Sequence, residues 1–304
     1  MKLENMVTVC LDAEFSTTRR VVEHSHALNN ALSSTSTENI CCHGGLRTQE
    51  LYKTTYVGKP LISIVTVVYN CEDYMEESIR SVIGQTYDNV EYIIIDGGST
   101  DATLSIIKQH ASQIDCWVSE KDEGIYDAMN KGAALATGEY VAFLNADDWY
   151  ELSTIEDVAD AIKKDPDLVY VFGNIGVSDN GIQKKIVYPR LKKYKTKIPF
   201  GHPTLFLRRE VFQKYEFSHE YKVISDYDLI IKLITNKYKH AYIDKKLTNF
   251  RVGGISTQER VYDEHFRLFR EHFGLFHAVL YIVRKYIRAP QRQLRKVARL
   301  FRSS

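Results

Sequence analysis

The stretch Leu61-Ile-Ser-Ile-Val-Thr-Val-Val-Tyr-Asn70 is a near-continuous run of β-branched and apolar side chains. Such a run is typical of a strand in a parallel sheet that helices cover on both faces. A second run of the same kind follows at Val90–Ile95, and the residues between them, Asp73–Gln85, predict a helix. Strand, helix and strand in this order predict a βαβ unit, the building block of an α/β fold.

The same alternation continues along the chain and sets the fold class. Further helices are predicted at Thr100–His110, Gly124–Ala136, Leu152–Lys164 and Ser225–Thr235, and further strands at Ile114–Val118, Glu139–Leu144, Leu168–Phe172, Gln183–Tyr188 and Thr204–Leu207. This pattern predicts an α/β fold with a mostly parallel sheet flanked by helices. The segment 174–222 is less regular, and the final 40 residues predict helices that break at Pro290.

Length and composition are those of an ordinary globular protein. The chain has 304 residues, of which 44% are apolar and 26% are charged, values that exclude a disordered or a fibrous protein. The apolar run Val7–Leu11 is too short for a signal-peptide core, and Ala278–Val283 is too short to span a membrane. We therefore expect a cytoplasmic protein that is neither secreted nor embedded in a bilayer.

Three regions differ in composition and charge. Residues 1–56 are rich in Ser, Thr, Asn and His without sustained periodicity, and they predict a weakly structured N-terminal extension. Residues 57–256 contain the alternating strands and helices, and residues 257–304 form a basic helical tail. Positions 272–304 have eight Lys and Arg and no Asp or Glu, which leaves a net charge of −7 on residues 1–271 in a chain whose total is +1.

The cysteines show no pattern of a disulfide framework. There are five, an odd number, and the adjacent pair Cys41-Cys42 lacks the C-x-x-C spacing of a metal or redox site. We expect reduced thiols, in keeping with a cytoplasm.

Polar residues follow four consecutive predicted strands. The strand ends are Tyr69-Asn70, Asp96-Gly-Gly-Ser-Thr-Asp101, Glu120-Lys-Asp122-Glu-Gly124 and Asn145-Ala-Asp147-Asp148. Ligands of open α/β sheets bind beyond the carboxyl ends of the strands, so these residues outline a candidate site. So much negative charge on one rim indicates a bound cation or several hydrogen-bond donors.

Two of these strand ends have a specific chemistry. Asp96 lies where a doubly wound fold places an acid against a ribose, and the two glycines after it let the backbone approach a ligand. Asp147, with Asn145 nearby, suits Mn²⁺ or Mg²⁺, which take one or two protein carboxylates and fill their shell with water and phosphate oxygens. Both segments are also compatible with turns and helix caps, and Asp148 suits a cap better than Asp147.

Taken together, the motifs resemble glycosyltransferase family 2, and more closely its bacterial members that build O-antigen, capsule or exopolysaccharide. The resemblance rests on Ser63–Asn70, Asp96–Asp101, Asp122–Gly132, Asn145–Asp148 and Ser225–Leu229, in the order and spacing of the family, and covers about residues 60–256. It implies a GT-A fold and a nucleotide-diphosphate sugar donor, usually of UDP. It further implies a Mn²⁺ or Mg²⁺ ion, inversion at the anomeric carbon, and a glycan or lipid-linked glycan as acceptor.

The resemblance also implies roles for single residues. It places Tyr69, Asp96 and Asp101 at the nucleoside, and Asp122, Asn130, Asp148, His202 and Arg251 near the donor sugar or diphosphate. Asp147 would bind the metal. The chain departs from the family where its metal motif begins with Asn145 instead of Asp, so the second ligand would be a neutral oxygen. For His202 and Arg251, a structural role in a loop or an ion pair is the alternative.

The resemblance implies that Asp226, in the segment Ser225–Leu229, is the general base. Displacement of a diphosphate by a sugar hydroxyl needs one carboxylate to take the hydroxyl proton and positive charge at the leaving group. It needs no second catalytic carboxylate, unlike a glycosidase. Asp226 can equally cap the helix that begins here, and Asp228 is the competing candidate for the base.

The end of the tail predicts an amphipathic helix. Leu294, Val297, Ala298 and Phe301 recur at helical spacing, and Lys and Arg occupy mainly the other face. Such a helix can lie among the headgroups of an anionic bilayer, which would make the protein peripheral at the inner face of the cell membrane. A solvated or partner-binding helix is the alternative.

Other functions have weaker support in the residues. A nicotinamide-dependent oxidoreductase needs a glycine-rich turn after the first strand, and the segment 70–73 contains no glycine. Nucleic-acid binding is opposed by the acidic rim and has no recognition motif. A non-catalytic nucleotide-sugar-binding protein is the remaining alternative, suggested by Asn145 in the metal motif.

Overall fold

The computed structural model describes residues 22–23, 42–179, 181–253 and 261–287. The strands are β1 (Val22–Glu23), β2 (Leu51–Tyr52), β3 (Ile62–Val68), β4 (Val90–Asp96), β5 (Cys116–Ser119), β6 (Tyr140–Asn145), β7 (Trp149–Tyr150), β8 (Tyr170–Asp179), β9 (Ile182–Val187), β10 (Phe206–Arg208) and β11 (His240–Arg251). The α-helices are α1 (Glu72–Ile83), α2 (Thr103–Gln109), α3 (Ile125–Leu135), α4 (Thr154–Lys164), α5 (Arg209–Tyr215), α6 (Ser225–Thr235), α7 (Val261–Phe273) and α8 (Leu275–Ile287). Short 3-10 turns lie at Leu46–Gln49, Ala111–Gln113, Leu191–Lys193 and His202–Thr204.

The main sheet has the strand order β5-β4-β3-β6-β10-β8-β11-β7, and β9 pairs with β8. The pairs β3–β4, β3–β6, β4–β5 and β8–β11 are parallel, whereas β10, β7 and β9 pair antiparallel with their neighbours. The predicted α/β fold with a mostly parallel sheet is confirmed. Because β3, β4, β5 and β6 run in one direction, their carboxyl ends lie along one edge of the sheet.

Helices cover both faces of the sheet, which explains the uninterrupted apolar runs in the sequence. All seven residues of β3 and all seven of β4 are buried. Along β3, Ile62 and Ile64 pack with the apolar faces of α1 and α4, and Val65 and Val67 pack with those of α3, α5 and α6. Burial of both faces removes any need for alternating polar residues.

Most predicted elements occur within about three residues of their expected bounds, and the helix Ser225–Thr235 has the bounds that were predicted. The irregular segment contains one element that the sequence did not indicate, the helix α5. The strand β11 was also not predicted. The first half of β11 is largely exposed and contains Lys and Asp, so it lacks the apolar run that identified the central strands.

Residues 42–47 lie along the free edge of β5, although they were expected in the weakly structured extension. Gly44 forms an antiparallel bridge with Trp117, and a Cβ at Gly44 would lie 2.4 Å from the indole Nε1, so the contact requires glycine. Cys42 and Cys116, 74 residues apart, form a disulfide. The expectation of reduced thiols is therefore wrong for this pair, because no sequence pattern placed the N-terminal segment on β5.

Two buried ion pairs hold the same segment to the sheet. Arg47 pairs with Glu91 of β4, and the Lys53 ammonium lies 2.8 Å from Asp115. Burial lowers the pKa of Lys53 and raises the pKa of Asp115, and their mutual attraction opposes both shifts. The folded domain thus begins before residue 57. Apart from β1, residues 1–41 lie outside the described part of the chain.

The C-terminal helices pack on α6. Leu268, Phe269 and Ala278 form a small core with Tyr227 and Ile231 of that helix. The helical prediction is confirmed for residues 261–287, where α7 and α8 are separated by Gly274 at φ +83°. Pro290 and the amphipathic helix predicted after it lie outside the described residues.

Among the described residues, none of the helices has the length and apolar character that crossing a bilayer requires.

Candidate active site

Hydrogen bonds join the loops that follow β3 and β4. Asn70, at φ +47°, donates its backbone N–H to the Ser99 hydroxyl at 2.8 Å and accepts the Thr100 N–H on its side-chain oxygen at 2.8 Å. Asp101 accepts the backbone N–H of Glu72 at 3.1 Å, and the Glu72 carboxylate accepts a backbone N–H of the second loop in return. The two loops therefore form one rigid rim, and Asp101 stabilises the start of α1.

Asp96 ends β4, and its side chain is fully buried. The Ser99 hydroxyl donates to its Oδ1 at 2.5 Å, and the Ser119 hydroxyl donates to its Oδ2 at 2.6 Å. The carboxylate thus holds the loop after β4 against the end of β5. Its contact with a nucleoside stays a prediction, and it requires one of these serines to move.

Tyr69, Gly97 and Asp122 meet at the surface of this rim. The Tyr69 side chain is 63% exposed. A Cβ at Gly97 would lie 2.4 Å from Asp122 Oδ2 and 3.5 Å from Tyr69 Cδ2, so the absent side chain leaves room for both. An exposed aromatic ring beside bare backbone and a carboxylate can stack on a planar ring and accept its hydrogen bonds.

Asp147 follows β6, and its side chain has no side-chain hydrogen-bond partner among the described residues. Among the described residues, its carboxylate accepts a hydrogen bond only from its own backbone N–H. Burial raises the pKa of Asp147, and the nearby Arg251 and His202 oppose that rise. An unpaired, half-buried carboxylate is suited to bind a positively charged ligand atom.

The residues of this turn fit a hard divalent cation. Asn145 Oδ1 is buried and has no hydrogen-bond partner among the described residues, which is uncommon for a carbonyl oxygen and suits a metal ligand. The described part of the chain contains no group of three or more His, Cys, Asp or Glu side chains able to bind a metal by themselves. A cation here would therefore depend on oxygens of the substrate and water.

Asp148 has a structural position beneath Asp147. It is buried, and burial followed by the charge of Asp147 raises its pKa well above the usual value. Its Oδ1 accepts the backbone N–H of Arg251 at 3.0 Å. Asp148 therefore joins the end of β11 to the turn after β6.

Four groups hold the Arg251 side chain in place. Its guanidinium lies 4.1 Å from the ring centre of Tyr74 and 4.9 Å from that of Trp149. It forms an ion pair with Glu77 at 2.6 Å and donates from Nε to the Asp147 carbonyl at 3.2 Å. A fixed cation therefore lies beside Asp147.

Asp226 lies in the first turn of α6, where its Oδ1 accepts hydrogen bonds and its Oδ2 lies in contact with an imidazole nitrogen. The Tyr126 hydroxyl donates to Oδ1 at 3.0 Å, and His202 Nδ1 lies 3.3 Å from Oδ2. Burial and the Asp226 charge raise the pKa of Tyr126 well above its usual value, so the phenol stays protonated and donates. His202 Nε2 is buried without a partner among the described residues.

Asp228, the competing acid, is engaged elsewhere. It forms ion pairs with Lys232 at 2.6 Å and with His272 of α7 at 2.6 Å. Burial raises the pKa of Asp228, but the hydrogen bonds from His272 and Lys232 outweigh it and lower the pKa overall. Asp228 thus ties α7 to α6.

Both polar atoms of the Asn130 side-chain amide form hydrogen bonds with the backbone of Phe217. Its Nδ2 donates to the Phe217 carbonyl at 2.9 Å, and its Oδ1 accepts the Phe217 N–H at 3.0 Å. It fixes the loop after α5 to α3, so a direct contact with a donor sugar stays a prediction.

The structure brings Asp147, Arg251, His202 and Asp226 to one region, since His202 contacts Asp226 and its charge acts on Asp147. Asp96, Asp148 and Asn130 instead hold loops in place. Four contributors were not foreseen: Tyr126, Tyr74, Glu77 and Trp149. Tyr126 lies inside the motif Asp122–Gly132, which was a usable signal, whereas the partners of Arg251 are far from it in sequence.

The model of the family described as "Glycosyl transferase family 2" matches residues 63–216. The protein called "PGL/p-HBAD biosynthesis glycosyltransferase" from Mycobacterium bovis is 30% identical over 194 residues, which are 60% of this chain and 75% of the relative.

Two solved structures have a similar fold. S. aureus TarS 1-349 in complex with UDP-GlcNAc superposes with a TM-score of 0.58 at 21% identity, covering 70% of this chain and 66% of that one. The mannosyltransferase PcManGT from Pyrobaculum calidifontis, in complex with GDP-Man and Mn²⁺, superposes with a TM-score of 0.51 at 16% identity, covering 88% and 84%. At these identities the likeness is one of fold.

Proposed function

The chain belongs to glycosyl transferase family 2, and on that basis we propose that it moves a sugar from a nucleotide-diphosphate sugar to a hydroxyl group with inversion at the anomeric carbon. The proposed nucleotide is UDP, and the proposed acceptor is a glycan or lipid-linked glycan of a bacterial surface polysaccharide. The observation that carries the proposal is that His202 lies near both the unpartnered acid Asp147 and the hydrogen-bonded acid Asp226, which brings the two acids to one region.

The donor nucleoside is assigned to the rim formed by the first two strand ends. The exposed Tyr69 ring offers a stacking surface, and the backbone at Gly97 lies open beside the Asp122 carboxylate. Asp96 and Asp101 support this surface from below by fixing its loops. The choice of UDP is supported by TarS, which was solved with UDP-GlcNAc.

The diphosphate is assigned to the turn after β6. Asp147, with Asn145 Oδ1, would hold a Mn²⁺ or Mg²⁺ ion, which when bound supplies positive charge against the leaving phosphates. The complex of PcManGT with Mn²⁺ supports this assignment. Arg251 adds a permanent cation beside Asp147, and the free Nε2 of His202 faces no other described partner.

The proton of the attacking hydroxyl is assigned to Asp226. As the new bond to the anomeric carbon forms and the bond to the diphosphate breaks, Asp226 takes this proton. Tyr126 and His202 orient the carboxylate, and the 3.3 Å contact at Oδ2 is the weaker of the two, which makes Oδ2 the better acceptor. Asp228 is unsuited to this role because Lys232 and His272 already neutralise it.

The first test measures nucleotide release from a panel of nucleotide sugars with Mn²⁺, Mg²⁺ or EDTA. We expect metal-dependent release of UDP from at least one UDP-sugar. The isosteric change Asp226→Asn keeps the hydrogen bond from Tyr126 but cannot take a proton, so kcat should fall at least about 100-fold while the Kd for UDP changes little.

Two outcomes would contradict the proposal. If UDP binds but no donor is hydrolysed under any condition, the chain is a nucleotide-sugar-binding protein of the same fold. If Asp228→Asn abolishes turnover in a folded protein while Asp226→Asn does not, the base is assigned to the wrong acid. The cytoplasmic location and the membrane contact of the tail stay predictions.

A further inference from the structure

A strongly basic surface lies outside the candidate active site. We call residues 182–198, which span β9 and the turns that follow, the basic segment. It has seven Lys and Arg and no Asp or Glu. The cations are Lys184, Lys185, Arg190, Lys192, Lys193, Lys195 and Lys197, and all of them are exposed.

Most of these charges lack counter-ions among the described residues. Of the seven, Lys184 alone forms an ion pair with a described residue, at 3.7 Å from Asp179. Partial burial and the repulsion of Arg190 and Lys193 lower the pKa of Lys197. Like charges gathered without partners oppose the folded state, and an external anionic surface would relieve that repulsion.

Apolar side chains are exposed among the cations. Tyr188 is 56% exposed and Ile182 is 63% exposed, and Val187 and Ile198 are also exposed. Beside them lies an open cavity of about 340 Å³, which is lined by Phe172, Pro189, Leu191 and Tyr242 together with Arg190, Lys192 and Lys193. Apolar walls that border on cations suit a molecule with an apolar part and an anionic headgroup.

The helix α8 extends this surface. Leu275, Phe276, Val279 and Val283 recur along one side of the helix and are exposed, Phe276 by 75%. The start of α8 adjoins the basic segment, since the ring of Phe273 lies 5.7 Å from that of Tyr194 and 5.5 Å from the Lys195 ammonium. The apolar side of α8 begins two residues after Phe273, at Leu275, so it starts close to the basic segment.

We propose that this surface docks on an anionic lipid bilayer, with the apolar side of α8 in the headgroup boundary and the basic segment against lipid phosphates. The combination of exposed apolar side chains and cations selects a bilayer over a soluble polyanion. A nucleic acid or an acidic glycan would satisfy the cations and leave Phe276 and Val279 in water.

Docking would place the membrane on the side of the molecule that carries α6. The Tyr227 hydroxyl donates to the Tyr194 carbonyl at 2.6 Å, and Tyr227 is next to Asp226 in the chain. The basic segment is thus one hydrogen bond from the helix that contains the proposed base. The docking surface does not depend on catalysis and can be tested by itself.

The experiment is co-sedimentation of the full chain with phosphatidylcholine vesicles that contain 0 or about 30% phosphatidylglycerol, at low and physiological salt. We expect binding only to the anionic vesicles. The variant R190Q/K192Q/K193Q should bind about 100-fold more weakly, because each Lys or Arg near an anionic surface contributes about a factor of five. The variant F276S/V279S, which keeps every charge, should bind at least about 10-fold more weakly.

The matched control K108Q/K163Q/K164Q removes the same charge from exposed positions elsewhere and should bind like the parent chain. A variant with Arg292, Arg295 and Arg299 changed to Gln measures the share of the tail. Equal thermal unfolding of all variants shows that they fold. The proposal is overturned if the first two variants bind normally, if only the tail variant loses binding, or if heparin binds while anionic vesicles do not.

Discussion

The buried position of Asp147 opposes folding when its carboxylate is ionised. Burial raises its pKa, so the ionised carboxylate costs folding free energy, and the only hydrogen bond it accepts from a described group comes from its own backbone N–H. By linkage, the contribution of Asp147 to stability is fully present below its unfolded pKa of about 4. It decreases as the pH rises through the higher pKa of the folded carboxyl. A carboxylate of this kind is already desolvated and without a side-chain hydrogen-bond partner before any cation binds.

We predict that Asp147→Asn raises the melting temperature at pH 7 and weakens metal-dependent UDP binding at least about 10-fold. The amide removes the desolvated charge but leaves only neutral oxygens for the cation. Calorimetric titration of UDP with Mn²⁺ and with EDTA measures the second effect, and UDP binding in EDTA should change little. If the affinity for UDP in the presence of Mn²⁺ is unchanged, Asp147 does not bind the metal.

The neighbouring thiol offers a second readout of the same change. Burial and then the charges of Asp147 and Asp101 raise the pKa of Cys71 to about 11. Asp147→Asn removes one of these charges, so alkylation of Cys71 should become faster. Mass spectrometry of the Cys71 peptide separates this thiol from the others. A change in reactivity shows that the two side chains interact, whether or not a metal binds.

Single residues also show what the sequence could and could not reveal about the site. The motifs predicted Asp147, Asp226, His202 and Arg251, which lie in one region of the structure, because each belongs to a strand end or a short segment of recognisable composition. They could not show that Asp96 is enclosed by two serines, since one of these, Ser119, comes from the next strand. The role of Asp228 depends on His272, which is 44 residues away.

At the scale of elements, one ion-pair group joins α7 to α6. Asp228 is buried and bonded to Lys232 and His272, which together lower its pKa although burial opposes them. A depressed carboxyl pKa contributes stability above the unfolded pKa, and this contribution decreases as the pH falls through the folded pKa.

We predict that Asp228→Asn lowers the free energy of unfolding by about 2 kcal/mol at pH 7, because it removes the buried carboxylate that pairs with the partly buried Lys232 and His272. The difference between variant and parent should shrink as the pH falls from about 4, the pKa of the unfolded carboxyl, through the lower pKa of the folded one. Urea denaturation between pH 3 and 7 measures both effects. The control Asp263→Asn, at an exposed position of α7, should change little, and an equal loss there would contradict the assignment.

Strands and helices differ in how clearly the sequence predicts them, and the reason is physical. The strands β3 and β4 are buried on both faces, and helix α6 has one broad apolar side, so composition alone reveals them. The strand β11 was missed because only Leu247, Thr248 and Asn249 of its residues are buried. Its place beside β8 is set by tertiary pairing, which composition does not encode.

At the scale of the whole molecule, the N-terminal segment closes the fold. The Cys42–Cys116 bridge, the Arg47–Glu91 pair and the Lys53–Asp115 pair attach residues 42–53 to the far end of the sheet. The general α/β plan was predictable from local patterns, but this attachment was not. It depends on groups 44 to 74 residues apart whose local sequences are unremarkable.

We predict that Cys42→Ala lowers the free energy of unfolding by about 3 kcal/mol, the usual contribution of a bridge that closes a long loop. A reducing agent should have the same effect on the parent chain and none on the variant. Chemical denaturation with and without reductant measures both. If the parent is insensitive to reductant and a thiol count finds Cys42 and Cys116 free, the bridge does not form in solution.

The bridge between Gly44 and Trp117 has a consequence beyond one molecule. A terminal strand of a sheet has a row of unsatisfied amide and carbonyl groups that can template pairing with another copy. Residues 43–47 occupy that row on β5 with their own backbone. Detachment of residues 43–47 would expose these unpaired backbone groups of β5. The first sign of losing the segment should therefore be self-association of otherwise native protein.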